Sequence, residues 1–158
     1  MPNTETQPQV SFYNEDNTTE ITRWDIGEVN AGQESESKTI LIWNNRGGAT
    51  DRSHMEDTEI TSLAGSSNFA SHELVNDRWL YIRVDSMDEI SPTAVGGESY
   101  KKAVAARGVG NGIVQGFANS GALDDAANYA KITKYVQPRQ YASAGQHDFV
   151  VRVSYTFV

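Results

Sequence analysis

Cysteine is absent from this sequence of 158 residues. The chain therefore forms no disulfide, and it has neither a thiolate metal ligand nor a thiol nucleophile. The absence of cysteine does not by itself assign a cellular compartment.

Basic residues are few: 13 Lys and Arg stand against 21 Asp and Glu, which gives a formal net charge of −8. Binding to a phosphate backbone needs clustered cations. The nearest candidates are Lys101 and Lys102, with Arg107 beyond them, and they are too sparse to follow such a backbone. The composition therefore favours a soluble protein without a nucleic-acid partner.

Long apolar runs are also missing, since no segment approaches the roughly 18 apolar residues that a membrane span needs. The first nine residues carry neither a basic region nor an apolar region of the kind found in a signal peptide. We therefore expect no membrane span and synthesis in a cytoplasm, with use there or release by lysis.

Apolar residues make up only 38% of the chain. This low share indicates a thin sandwich, or a surface that neighbouring subunits complete. Residues 1–9 are polar and include Pro2 and Pro8, so we predict a flexible N-terminal arm there. We predict that residues 10–158 form a single β-sandwich domain, because this length supports one ordinary core.

Short apolar runs separated by Gly, Asn, Asp and Ser predict an all-β fold. Residues 39–43 form a continuous apolar run that is typical of a strand in the core. Leu80, Ile82 and Val84 share one face of a second strand. Between residues 149 and 157 every odd position is apolar or aromatic, which is the pattern of a half-buried antiparallel strand.

The middle of the chain is ambiguous. Residues 98–107 fit a short helix or a strand equally well, and residues 124–127 fit one helical turn. We interpret residues 95–127 as a glycine-rich loop or insertion. Within it, Gly108, Gly110 and Gly112 resemble a phosphate loop, but no helix is expected to follow them, so a turn between two β segments is the better interpretation.

The sequence contains few candidates for catalytic or metal-binding residues. His54, His72 and His147 lie far apart in sequence and show no metal-ligand spacing. No serine lies in a GxSxG motif. Two acidic clusters lack the alternating spacing of a calcium loop and are interpreted as solvated charge: Asp85, Asp88 and Glu89, and Glu56, Asp57 and Glu59. We therefore predict no catalytic, cofactor-binding or metal-ligating residue.

The tryptophans leave two interpretations open. Trp24, Trp43 and Trp79 lie in or beside apolar runs, which favours core packing. A sugar-binding platform is the alternative, and it requires at least two of these rings to be exposed on one face.

The segments 24–33 and 38–48 resemble the opening of an immunoglobulin-like module, over about residues 12–86. In that family a strand and turn precede a strand that ends in Asn and Gly. The resemblance implies turns at Gly27 and Gly32, an inward-facing Val29, and an immunoglobulin-like antiparallel β-sandwich with Greek-key connections.

The rest of the chain resembles small tail or baseplate proteins of bacteriophages. The residues that carry this resemblance are 112–119, 128–132, 136–138 and 145–149. It implies a non-enzymatic structural subunit of a virion that docks on other virion proteins and on copies of itself, with residues 95–127 making much of the contact.

Three alternatives remain. A capsid decoration protein would use the same fold on the head. A carbohydrate-binding module for host attachment would take a cell-surface glycan as its partner. A hydrolase would need a cleft that brings His54, His72 or His147 together with Asp85 or Asp88.

Overall fold

The protein is described by a computed structural model that covers residues 6–65 and 71–158. It is nearly all-β, with two antiparallel sheets whose inner faces share one hydrophobic core. In chain order the elements are β1 (Val10–Asn14), β2 (Lys38–Asn44), β3 (Glu56–Ala64), α1 (Ser71–Asn76), β4 (Leu80–Val84), β5 (Thr93–Val95), β6 (Lys102–Ala103), β7 (Tyr129–Val136) and β8 (Phe149–Thr156), with 3₁₀ turns at Asp85–Met87 and Ala126–Asn128.

The larger sheet has five strands in the order β1-β2-β7-β4-β5, and the smaller has three in the order β6-β3-β8. Every pairing of these strands is antiparallel. The predicted all-β fold with a β-sandwich architecture is confirmed. The finer immunoglobulin-like assignment stays a prediction.

The apolar patterns form the strands that they predict. The run at residues 39–43 lies within β2, where Leu41 and Ile42 are both fully buried although they point to opposite faces. In β4 the burial alternates as expected, with Leu80, Ile82 and Val84 inside. Each such side chain stabilises the fold by about 1.5–3 kcal/mol relative to its exposure to water.

The central strands meet in a layer of branched apolar side chains. Ile40 of β2 lies opposite Ile132 of β7, which in turn lies opposite Val84 of β4. All three are at most 5% exposed. Branched side chains pack well on a pleated surface, so this layer fixes the register of the larger sheet.

The segment 95–127 is part of this fold rather than an insertion appended to it. Residues 98–107 form no helix, and their regular structure is the two-residue strand β6. Val104 follows with its side chain fully buried, and its N–H donates to the carbonyl of Thr58 in β3. Val114 is also fully buried and bridges to Met55. Because Val104 and Val114 are buried in the core, residues 98–107 lie along β3 and do not form a separate helix.

A flexible arm was predicted for residues 1–9, but residues 6–9 contact the folded domain. Pro8 is buried, the Gln9 N–H donates to Oδ1 of Asn44 at 3.0 Å, and the Asn45 N–H donates to the carbonyl of Gln9 at 2.8 Å. Residues 6–9 are therefore held against the end of β2. Residues 1–5 lie outside the described residues.

The strand that the resemblance implies within residues 24–33 is not formed. The segment 22–37 belongs to no strand, although Gly27 and Gly32 both adopt the predicted left-handed turn conformation, with φ of 78° and 80°. Among the described residues, its hydrogen bonds between backbone groups are one within a local turn and two to the carbonyls of Val136 and Pro138. The segment therefore does not pair with a strand along its length. Val29 is only partly buried.

Candidate docking surface

The far side of β8, which we call the β8 edge, is the longest open sheet edge in the described chain. β8 has eight residues and pairs only with β3. At the other edges, β5 has three residues and β6 has two. The outer side of β1 is covered by the segment that follows it in the chain, because the N–H of Ile21 donates to the carbonyl of Phe12. A long uncovered edge is a template for pairing with another chain.

The ladder phase, meaning which residues of β8 form the hydrogen-bonded pairs with β3, shows which backbone N–H and C=O groups point outward. Gly65 donates to the carbonyl of Asp148 at 3.1 Å, directly opposite it in the register of β3 and β8. In an antiparallel ladder, bonded pairs alternate with non-bonded pairs. The even residues of β8 therefore bond to β3, and the odd residues direct their N–H and C=O groups to the β8 edge.

A second contact gives the same phase. Ser62 lies opposite Val151, and its carbonyl accepts from Gly97 on the other side of β3. Ser62 therefore does not bond to β8 through that carbonyl. Among the hydrogen bonds of the described residues, none reaches the outward backbone groups of the odd residues, which are Phe149, Val151, Val153 and Tyr155.

The side chains of these odd residues are incompletely covered. All four pack against the core but remain partly exposed. On the neighbouring strand, Ile60 is fully buried opposite Val153. The core is thus closed under β3 and open along β8, so a further strand on this edge would bury apolar surface as well as backbone groups.

The outer face of β8 is mixed. Val150 is 51% exposed. Arg152 donates to the carboxylate of Glu98 at 2.7 Å. Hydrogen bonds from Lys101 and then from Arg152 lower the pKa of Glu98 below its ordinary value, which keeps it ionised. The strand therefore carries one basic side chain, and that side chain already has an acidic partner.

Trp24 packs against the core at the first residue of β8. Its ring meets that of Phe149 edge to face at 5.9 Å, and the Nζ of Lys134 lies 3.3 Å from its centroid. Lys134 points into the core from β7 and is only 3% exposed. Burial, with a smaller contribution from the positive charge of Lys38, lowers the pKa of Lys134 to about 7. The ring face acts in the opposite direction, because it favours the charged amine.

Two of the histidines that a hydrolase would need, His54 and His147, have different neighbours. His54 accepts the N–H of Gly116 at Nδ1, 2.9 Å away, and its ring packs on Phe117. His147 packs on the ring of Trp79 at 4.7 Å. His72 is exposed on α1. Within residues 6–65 and 71–158, no three His, Asp or Glu side chains are grouped as a metal site.

The first acidic cluster is engaged with cations. Asp85 pairs with Arg83 at 2.7 Å, Asp88 with Arg107 at 2.7 Å, and Glu89 with Lys102 at 2.8 Å. The second cluster is divided by an irregularity of β3 between Glu56 and Glu59, where Asp57 has a φ of 49°. Two surface depressions of about 200 and about 630 Å³ have no histidine among their lining residues.

The platform of tryptophan rings is not formed. Trp43 is fully buried and Trp79 is 2% exposed, while Trp24 is partly buried. Core packing, the first of the two interpretations, is therefore correct for Trp43 and Trp79.

In comparisons with known proteins, no family model, curated protein or solved structure matches the chain. In the described part of the chain, no helix is long and apolar enough to cross a membrane.

Sequence reasoning identified β8 as a strand but missed its position at an open edge. The alternation of residues 149–157 is visible in the sequence, yet the order of strands in the sheet is not. One signal of an open edge was present in the sequence. The outer positions of this strand are Val150, Ser154 and Thr156 with one charged residue, Arg152, whereas protected edges carry several charges or a proline.

Proposed function

We propose that this chain is a non-enzymatic structural subunit of a phage virion, which docks on neighbouring tail or baseplate proteins through the β8 edge. The observation that carries the docking is the open edge itself, where four partly exposed apolar side chains border unpaired backbone groups. Such an edge gives affinity through main-chain hydrogen bonds and specificity through alternate side chains.

The placement in a virion rests on the sequence resemblance to phage tail proteins. The contacts of His54, and those of the acidic cluster of Asp85, Asp88 and Glu89, support a non-enzymatic role, since each of these groups has its own partner. A virion subunit acts by holding neighbours in a fixed geometry, and an edge strand on a rigid sandwich suits that task. The segment 95–127 supports the sandwich from within, so the proposed contact moves from that segment to β8.

Particles purified by density gradient from cells that produce the chain test the proposal. We expect mass spectrometry of the banded particles to find the chain in many copies, in a fixed ratio to the other structural proteins. Its position in the particle, on the tail or on the head, follows from electron microscopy of particles that carry a tagged chain. Particles without the chain would overturn the virion assignment.

A further inference from the structure

We propose that the partner of the β8 edge is the β8 strand of a second copy. The two strands would pair antiparallel about a two-fold axis that lies midway between their two Val153 residues, which is called the axis at Val153 below. This inference rests on the docking role proposed above and names its occupant. It would join two three-stranded sheets into one continuous sheet of six strands.

The ladder phase restricts the possible registers. A two-fold axis perpendicular to the sheet keeps inner side chains on the inner face, so each residue must lie opposite one of the same parity. The odd residues of β8 carry the outward N–H and C=O groups and must form the bonded pairs. Both conditions are met when the axis lies at any residue of β8, and the axes at Arg152 and Val153, the two central residues, pair the greatest length of the strand.

The side chains distinguish these two registers. With the axis at Val153, Arg152 lies opposite Ser154 of the second copy, and Val150 lies opposite Thr156. With the axis at Arg152, two guanidinium groups lie directly opposite one another, each with Glu98 as the acidic partner in its own chain, and the like-charge repulsion between them is destabilising. The charge pattern therefore favours Val153 as the centre.

On the inner face the same register pairs apolar groups throughout. Val153 meets Val153 of the second copy, Val151 meets Tyr155, and Phe149 meets Phe157. Aromatic and β-branched pairs of this kind each contribute a few tenths of a kcal/mol to about 1 kcal/mol. The four inner side chains of β8 that are partly exposed in one chain would be covered by those of the other.

The net charge of −8 on each copy opposes association. This repulsion acts over distances that salt screens, with a Debye length of about 10 Å at 0.1 M ionic strength. The contact itself carries no acidic side chain in β8. Added salt should therefore strengthen the pairing, the opposite of what an interface held by ion pairs would show.

A proline at an odd position tests the pairing without breaking the fold. Val153→Pro removes an N–H that points to the β8 edge, whereas Ser154→Pro removes one that bonds to β3. By light scattering, we expect the wild-type chain to be a dimer at high concentration and Val153→Pro to be a monomer with a native circular dichroism spectrum. Ser154→Pro should lose stability strongly, which verifies the ladder phase.

Amide exchange in the wild-type chain provides a second measurement if Val153→Pro does not fold. The outward amides of Val151, Val153 and Tyr155 should exchange quickly at low concentration and become protected as concentration rises. The amides of Arg152 and Ser154, bonded to β3, should be protected at both concentrations. Quick exchange of the odd amides at all concentrations would overturn the self-pairing.

Distances between spin labels determine the register. The chain has no cysteine of its own, so a label attaches only to a cysteine that is introduced. Val150→Cys and Thr156→Cys lie equally far from Val153, so the distance between the two labels of a dimer should be similar for both variants, about 20 Å at about 3.4 Å per residue. An axis at Arg152 would give about 14 Å for position 150 and about 27 Å for position 156, and this result would overturn the proposed register.

The outcomes separate this inference from the proposed function. A chain that remains monomeric at all concentrations, yet is found in many copies in purified particles, overturns the self-pairing and leaves the virion role intact. A dimer in solution that is absent from particles does the reverse.

Discussion

The Nζ of Lys134 lies 3.3 Å from the centroid of the Trp24 ring, on the core side of β7. The lysine replaces what the pattern of β7 would make an apolar residue, since Ile132 and Val136 are its buried neighbours on that face. Among the described residues no carboxylate pairs with its amine within ion-pair distance. A buried amine without an acidic partner makes stability depend on pH.

The sign of this dependence follows from the lowered pKa. Between about 7 and the ordinary value of 10.5, the unfolded chain binds a proton at Lys134 that the folded chain does not. The free energy of unfolding should therefore rise as pH rises through this range, with a slope that approaches about 1.4 kcal/mol per pH unit from this group. Below pH 7 both states are protonated, and the cost of the buried charge is constant.

Lys134→Met should remove this slope and raise the free energy of unfolding at pH 6 by about 1 kcal/mol or more, because a buried charge is replaced by an apolar side chain of similar length. Urea unfolding at several pH values measures both effects. Lys131→Met is the matched control, since its side chain is 40% exposed on the outer face of the same strand. An unchanged slope in Lys134→Met would contradict the assignment of the titration to this lysine.

Ser86 should contribute to stability although its side chain is small. Its hydroxyl donates to the carbonyl of Ala105 at 2.6 Å and accepts the N–H of Lys131 at 3.0 Å. Ser86→Ala leaves both backbone groups without this partner in a buried place, which should cost about 1–3 kcal/mol. Thermal unfolding measures the loss, and Ser91→Ala, at an exposed position, should change stability by less than about 0.5 kcal/mol.

Asn44 holds three segments together at the end of β2. Its fully buried amide donates to the carbonyls of Ser53 and Val114 at 3.0 and 3.2 Å, and its Oδ1 accepts the N–H of Gln9. Asn44→Ala should lower the free energy of unfolding by about 3 kcal/mol or more, since each buried group left unpaired costs about 1–3 kcal/mol.

Asn30→Ala is the matched control for this substitution, because Asn30 is exposed in a loop. We expect its unfolding curve to overlay that of the wild-type chain within about 0.5 kcal/mol. Equal losses in the two variants would mean that the amide of Asn44 does not join the segments.

Sequence patterns predicted β2, β4 and β8 because their apolar residues follow a strand period that burial preserves. They could not predict Lys134 as a core residue or Asn44 as a joint between loops, because both are polar side chains whose burial depends on partners distant in sequence. The openness of the β8 edge was hidden for a related reason. It depends on which strands pair, and each of the two sheets combines strands that are distant from one another along the chain.

The segment 22–37 shows the limit of local turn signals. Gly27 and Gly32 make the predicted turns, but a strand also needs a neighbour for its backbone groups. Trp24 packs against the core without one and contacts β8 at Phe149, so the apolar residues of this segment pack on the core without forming a strand.

Gly116 should be intolerant of any side chain, since the backbone passes close to another loop there. An added Cβ would fall onto the carbonyl oxygens of Ser53 and Arg52, 2.5 Å from the latter. Backbone atoms cannot move aside as a side chain can, so Gly116→Ala should cost about 1–3 kcal/mol. It should also disturb the bond from the Gly116 N–H to His54, which nuclear magnetic resonance of the imidazole would detect.

Gly110→Ala separates this packing effect from the general effect of replacing a glycine. The added Cβ would meet only the flexible end of Ile113, with Cδ1 at 3.0 Å, and the backbone of Gly110 does not require a positive φ. Loss of unfolded-chain entropy should leave this variant equal to the wild type or up to about 1 kcal/mol more stable. If both variants lost the same stability in urea unfolding, the close approach of the Gly116 backbone to Arg52 and Ser53 would not be the cause.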